Sequence, residues 1–243
     1  SAYLNYQFNS TRWIVEPGFR LQYYGNIGAS PEPRLGMKYI ASDRMRFKLS
    51  AGQYSQNLQS TISDRDVVNL FTGIISTDVD LDGDYDQKLQ KAQHLITGIE
   101  YDISNKIDFQ LEGYVKDFYQ LININRNMTS DDDPQFIVES GIAKGVDALV
   151  KYKGKKLYIW TVYSLGLITR NDGEREYNPH FDRRHNVNFV TSYKFGKNES
   201  WKADIRWNLG SGFPFTQTQG FYENLTFPDG INTDYTTANG DLG

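Results

Sequence analysis

Cysteine is absent from this chain of 243 residues, which excludes a disulfide framework, a thiolate metal site and a cysteine nucleophile. Long hydrophobic runs are missing too. No stretch approaches the roughly 18 consecutive apolar residues that a membrane-spanning helix requires, and the mean hydropathy is −0.59. Only three histidines are present, and His94, His180 and His185 are too scattered for a zinc site or a catalytic pattern. Neither sign of charge dominates: 26 Lys and Arg stand against 30 Asp and Glu, a net charge of −4. That balance gives no footing for nucleic acid as a partner. No Gly-rich phosphate loop, nucleophile–base–acid pattern or paired-carboxylate motif stands out, so the expectation is a protein that is not an enzyme. The first residues do not read as a leader sequence. Ser1-Ala2-Tyr3-Leu4 already alternates like a strand and 239–243 resembles a loop cut short, so both ends are expected to be internal to a longer polypeptide.

What the chain does have is aromatic residues, 14% of the total, and an alternation of period two. Trp13, Val15, Phe19, Leu21 and Tyr23 share one face against Arg12, Glu16, Arg20 and Gln22. Met45, Phe47, Leu49 and Ala51 oppose Arg46, Lys48 and Ser50, and Ile107, Phe109, Leu111 and Val115 oppose Lys106, Asp108, Glu112 and Lys116. Val146, Ala148, Val150 and Tyr152 oppose Asp147 and Lys151. Trp201, Ala203, Ile205, Trp207 and Leu209 oppose Lys202, Asp204, Arg206 and Asn208. The pattern predicts about ten strands, most near the 9–11 residues that cross a bilayer at a tilt. Residues 157–168 are apolar on both faces, so their orientation stays open.

The predicted connections alternate in length. Tight turns fall around Ser10, Ser42, Ser104, Gly154 and Asn198, with longer links at 25–33, 55–86, 126–136, 169–184 and beyond 210. Short turns on one side and long loops on the other suit an outer-membrane barrel, whose polar average hydropathy hides its lipid-facing residues. Aromatics gather beside the tight turns as a girdle would: Phe8 and Trp13, Tyr39 and Phe47, Tyr101 and Phe109, Tyr152 and Trp160, Phe195 and Trp201. A soluble sandwich alternates as well, with its apolar face turned inward. The charge on almost every polar face and the predicted strand lengths favour the membrane form.

Several stretches resemble the barrel of TonB-dependent receptors, in particular those of the Bacteroidota. They include Pro33-Arg34-Leu35-Gly36-Met37-Lys38-Tyr39 and Leu111-Glu112-Gly113-Tyr114-Val115-Lys116-Asp117-Phe118-Tyr119. The strongest is Asn178-Pro179-His180-Phe181-Asp182-Arg183-Arg184-His185, followed by Trp207-Asn208-Leu209-Gly210-Ser211-Gly212-Phe213-Pro214-Phe215. The resemblance implies an all-β, antiparallel transmembrane barrel of about 22 strands, of which residues 1–243 form a middle-to-late part. It also implies a plug domain and a TonB-contacting segment, both absent from this chain. The expected location is the bacterial outer membrane and the expected partners are its lipid, the TonB complex, a plug, a surface lipoprotein or other outer-membrane subunits.

Candidate site residues fall in the predicted loops. Asp78, Asp80, Asp82, Asp84 and Asp86 place carboxylates at alternate positions around Gly83, which suits calcium. The twelfth position is Leu89 rather than the bidentate Glu of a calcium loop, so a solvated acidic loop is the competing reading. Tyr85, Arg183, Arg184, Phe213 and Phe215 are candidate ligand contacts, through aromatic stacking and bidentate guanidinium bonds. The alternative for the two arginines is a structural pairing with Asp182 or Glu176. The leading functional expectation is uptake of a ligand across the outer membrane. Its rivals are a non-transporting barrel subunit of a protein-export or insertion assembly and a soluble carbohydrate-binding domain.

Overall fold

A computed structural model describes residues 1–25, 28–60, 74–75, 89–125 and 133–214. The strands are β1 (Ala2–Asn5), β2 (Phe8–Asn9), β3 (Trp13–Tyr24), β4 (Gly28–Ser42), β5 (Met45–Gln56), β6 (Gln59–Ser60), β7 (Ile74–Ile75), β8 (Gln90–Ser104), β9 (Ile107–Ile124), β10 (Phe136–Lys153), β11 (Leu157–Asn171), β12 (Glu176–Tyr177), β13 (His185–Phe195) and β14 (Trp201–Gly210). The sheet runs β1-β3-β4-β5-β8-β9-β10-β11-β13-β14, with β2 beside β3 and β12 beside β11. Every pairing is antiparallel. Apart from the separate β6–β7 pair, each strand lies next to its sequence neighbour, the up-and-down order that short hairpin connections enforce.

β1 and β2 are one strand interrupted by a proline. Asn5 opposes Gly18 and Phe8 opposes Val15, so Tyr6 falls opposite Pro17. The Tyr6 amide donates to the Pro17 carbonyl at 3.0 Å, but Pro17 has no N–H to return the bond. Counted this way the wall has ten strands. Its two edges, β1 and β14, have no further partner among the described residues.

Register carries the alternation unbroken from strand to strand. One rung joins Trp13, Tyr39, Phe47, Ile99 and Leu111 to Ala148, and Ala148 continues to Tyr163, Val187 and Leu209. The opposite face carries Lys38, Lys48, Glu112, Asp147, Ser164 and Asn186. The apolar face is the exposed one. Phe19 is 45% and Leu21 42% exposed, whereas Arg20 and Gln22, which alternate with them, are half-buried. Leu95, Ile142 and Trp207 are equally open, while Glu32, Glu139 and Asp182 are buried. Among the described residues no second sheet or helix covers the apolar face. A soluble sandwich would show the reverse.

The predicted tight turns form: 10–12, 43–44, 105–106, 154–156 and 196–200 each reverse the chain between paired strands. Aromatic rows cross the apolar face beside them. Ring centroids are 4.5 Å apart for Trp13 and Tyr39, 6.5 Å for Tyr39 and Phe47, and 6.4 Å for Phe195 and Trp201. Trp160 does not belong to this row. It pairs with Lys151 and Val190 on the polar face, and Ile159 takes the apolar position beside Tyr152. This settles the ambiguous 157–168 segment: Leu157, Thr161, Tyr163 and Leu165 share the face of Ile159, and Tyr158, Val162 and Ser164 share that of Trp160.

Two expectations fail at the far end of the strands. The link foreseen at 25–33 is a short reversal, because β4 begins at Gly28, and Gly25 and Gly28 take positive φ of 44° and 116° there. Pro31 and Pro33 lie within β4, where it pairs with β3 alone; the β4–β5 ladder begins only at Arg34. A missing amide on that free edge breaks no ladder bond. Strands also outrun the 9–11 residues expected: β9 and β10 have 18 residues each, and β4, β8 and β11 have 15. Beyond Phe118 a bulge adds a residue to β9, so Phe118 opposes Gly141 but Leu121 opposes Glu139. Parity flips there, and odd-numbered Leu121 and Asn123 join the face that even-numbered residues occupy below.

Candidate functional site

The polar face divides into two regions along the strands. Near the tight turns it is a lattice of matched charges on β4, β5, β8 and β9. Glu100 accepts from Arg46 Nε at 2.8 Å and Lys38 Nζ at 3.3 Å, and its other oxygen lies 2.5 Å from Lys48 Nζ. Arg46 also holds Asp102 with both terminal nitrogens, at 2.8 and 2.7 Å. Lys48 reaches Glu112 at 3.1 Å. Alternation places these residues on one face, and antiparallel register sets opposite charges on neighbouring strands.

Near the long links the same face changes character. Three carboxylates are buried there, and each is filled by donors. Glu32 accepts from Arg34 at 2.7 Å, from the Ser55 hydroxyl at 2.6 Å and from the Ser55 amide at 3.0 Å. Glu139 accepts from the Tyr177 hydroxyl at 2.6 Å and from Asn123 at 3.2 Å, with Arg170 at 3.7 Å. Asp182 accepts from the Ile168 amide at 3.1 Å, from Asn178 at 3.2 Å and from Arg184 Nε at 2.9 Å. Burying an acid this deeply is tolerable only with such saturation. The result is that the 172–184 connection is fastened to the wall by β12 through Tyr177 and by the Asn178 to Asp182 turn, where the Asp182 amide donates to Pro179 O at 2.9 Å.

Cations and rings line the wall between these anchors. Arg34 lies 4.6 Å over the Tyr54 ring, Tyr54 stacks on His94 at 4.4 Å, and His94 meets Phe118 edge-on at 6.0 Å. Further round, Arg183 lies 4.2 Å over Phe213, a stabilising arrangement for a guanidinium. A cleft of about 410 Å³ opens between them, lined by Tyr114, Lys116, Phe118, Arg170, Phe181 and Arg183 among others. Its floor is made of small residues, Gly141, Ala143 and Gly166. Below it Tyr114 lies flat across the sheet: a Cβ on Gly145 would sit 2.5 Å from the Tyr114 hydroxyl, and one on Gly166 3.3 Å from it.

Of the expected contacts, Arg183 and Phe213 come together, and Arg184 is engaged with Asp182 rather than Glu176. Tyr85, Phe215 and the candidate calcium ligands Asp78, Asp80, Asp82, Asp84 and Asp86 lie outside the described residues. Lys116, Arg170, Tyr114 and Phe181 were not singled out in the sequence. Their signal was the spacing Gly141, Gly145 on a polar face, opposite Arg170 and Gly166, which clears side chains from the middle of three strands.

No protein-family model matches the sequence, and no curated protein matches it. Solved structures do. A structure described as the complex of FpvAI with pyocin S2 aligns with a TM-score of 0.57 at 12% identity, over 86% of this chain and 30% of that one. The siderophore receptor PirA from Pseudomonas aeruginosa aligns with a TM-score of 0.52 at 14% identity, over 88% of this chain and 42% of that one. The chain thus spans less than half the length of either. At such identities the likeness establishes the fold alone: an antiparallel β-barrel wall, of which this chain matches a part.

Proposed function

We propose that this chain is the barrel wall of an outer-membrane TonB-dependent receptor that takes up a ligand into the periplasm. The observation that carries the reading is the inverted exposure of the sheet, with Phe19, Leu95 and Ile142 exposed and Glu32 and Glu139 buried. An apolar surface spanning ten strands is far larger than a soluble monomer leaves open, and lipid is the solvent that matches it. In this reading the matched-charge face lines the lumen and the short turns are periplasmic. Gly166 and Arg170 lie some ten or more residues up β11 from its tight turn. A tilted strand of 9–11 residues crosses the bilayer, so the basic–aromatic wall sits at the extracellular mouth, where a ligand arrives. Transport would need a plug and the TonB complex acting through segments outside this chain, and a surface lipoprotein would suit the long-loop side. A calcium ion on the five aspartates between 78 and 86 would stiffen the longest loop. Membership of the Bacteroidota type of receptor is part of this proposal and is supported by the resemblance of the 178–185 and 207–215 stretches alone.

The test is direct. The full-length protein should stay in the outer-membrane fraction, require detergent for extraction, and migrate faster in SDS unboiled than boiled. A monodisperse protein in detergent-free buffer would refute the proposal. Loss of ligand-dependent growth without TonB would mark a transporter; stoichiometric co-purification with other barrels and no TonB dependence would mark an assembly subunit instead.

A further inference from the structure

The two faces of the wall treat their lysines differently. On the polar face Lys38, Lys48 and Lys153 each have a carboxylate oxygen within 3.4 Å. Lys144 differs in placement and in company. Its register opposite Val115 puts it on the apolar face, it is exposed, and it has no ion-pair partner among the described residues. Going outward from the tight turns, the apolar face of β5, β8, β9 and β10 carries no other charged side chain until Asp117 on β9 and Lys91 on β8.

The rung that holds Lys144 is otherwise apolar: Leu35, Ala51, Leu95, Val115, Lys144 and Leu167 oppose one another in turn from β4 to β11. The next rung away from the turns is polar, with Gln53, Gln93, Asp117 and Thr169, and Ile142 between the last two. Lys144 therefore stands at the step from apolar to polar surface. That step lies about ten residues up β10 from its tight turn, the length of strand that crosses a bilayer at a tilt. On the receptor reading it marks the headgroup layer on the side of the long links. A lysine at such a step lays its four-carbon stem along apolar surface and lifts its ammonium into that layer. Asp117 is diagonal to Lys144 across β9 and β10 and makes no ion pair with it. Beside them a groove of about 600 Å³ runs over Leu35, Ala51, Leu95 and Val115, with Gln53 and Gln93 at its outer end.

We infer that Lys144 and this groove form a binding site for a phosphate-bearing lipid of the extracellular-side leaflet. The headgroup phosphate meets the Lys144 ammonium, and an acyl chain lies in the groove over Leu35, Ala51 and Leu95. The inference rests on reading the apolar face as the lipid-facing one, and it adds a chemical class to that lipid. A charge set in an apolar rung is costly unless something answers it. The described residues supply no carboxylate, and an anionic membrane surface supplies phosphate. A zwitterionic headgroup carries its own cation and cancels most of the attraction. A free phosphate ion lacks the chains that the groove takes.

The test uses full-length protein in detergent, titrated with dioleoyl phosphatidic acid and with dioleoyl phosphatidylcholine, bound lipid being counted by native mass spectrometry. Phosphatidic acid should bind saturably and more tightly than phosphatidylcholine, and excess inorganic phosphate should not displace it. Lys144→Gln should weaken phosphatidic acid binding about five- to tenfold, the loss of one basic residue at an anionic surface, and Lys144→Arg should retain it. Lys151→Gln removes a cation from the same strand but from the polar face, opposite Asp108 and Trp160, and should leave binding unchanged. Asp117→Asn, which removes a neighbouring acid, should bind phosphatidic acid at least as tightly as wild type. Heat-modifiable migration, recorded first for every variant, reports the folded barrel. A folded barrel that does not prefer phosphatidic acid, that releases it to inorganic phosphate, that binds it less well in Asp117→Asn, or that responds alike to Lys144→Gln and Lys151→Gln overturns the lipid site and leaves the receptor reading intact. A protein that needs no detergent overturns the receptor reading.

Discussion

Replacing Leu111 with arginine is expected to destabilise the inserted barrel by about 2–4 kcal/mol, the penalty for a cation on the lipid face at mid-bilayer depth. Leu111 is 37% exposed on the apolar face, between Ile99 and Ala148, five residues into β9 from its tight turn. Its neighbour in sequence gives the internal control. Gln110 points to the polar face opposite Glu100, and Gln110→Arg should stay within about 0.5 kcal/mol of wild type. Depth supplies a second control. Ile107 is on the same face as Leu111 but at the turn, and Ile107→Arg should cost only about 0–1 kcal/mol because the headgroup region tolerates charge. The measurement is equilibrium unfolding of the full-length protein from phospholipid vesicles. A buried protein core would penalise Leu111→Arg too, but it would not produce a gradient that follows distance from the tight turns.

Glu100→Ala is expected to have the second-largest effect, a loss of about 2–3 kcal/mol. Glu100 holds three cations, Arg46, Lys38 and Lys48, and its side chain is 12% exposed. Removing one partner of a buried ion pair costs about 3–5 kcal/mol; water on the polar face lowers that figure here. Lys38 and Lys48 are direct cross-strand neighbours, and without Glu100 their repulsion acts unopposed. Two features identify the mechanism. Lys48→Ala should be less harmful in the Glu100→Ala background than in wild type, a coupling of about 1 kcal/mol or more. Raising salt should narrow the gap between wild type and Glu100→Ala, because repulsion between wetted lysines is screened. An additive double variant, insensitive to salt, would show that Glu100 acts only by filling space.

The wall was legible in the sequence wherever one face was greasy and the other charged. Met45 to Ala51 on β5 and Trp201 to Leu209 on β14 are placed as the alternation demands, and so are the tight turns. Residues 157–168 resisted because Tyr158, Trp160 and Val162 fill the polar face of β11 with apolar side chains. Only the pairing of Trp160 with Lys151 and Val190 fixes their direction. The upper strands were hidden for another reason. On the proposed reading no lipid enforces alternation beyond the length that crosses a bilayer, and β9 changes parity at its bulge, so the periodic signal stops before the strand does. Pro31 and Pro33 reinforced the impression of a loop, although a free edge admits both.

The candidate site was legible in part. Arg183, Arg184 and Phe213 lie at the right end of the wall, but the sequence could not divide the two arginines into one held by Asp182 and one lining the cleft. That division depends on how the Asn178 to Asp182 turn folds back onto Ile168. Lys116 and Arg170 are 54 positions apart in sequence and line one cleft only because β9, β10 and β11 pair in this register. A glycine track with no local motif gives no warning of a cleft.

The most direct measurement exploits the absence of cysteine. Single cysteines placed in turn at positions 146 to 151 of β10 in the full-length protein, spin-labelled and reconstituted in bilayers, report which solvent each side chain meets. Positions 146, 148 and 150 should be accessible to oxygen dissolved in lipid, and 147, 149 and 151 to a water-soluble nickel complex, alternating without a break. Oxygen accessibility peaking instead at 147, 149 and 151, or no alternation at all, would contradict the inside-out wall on which everything else is built.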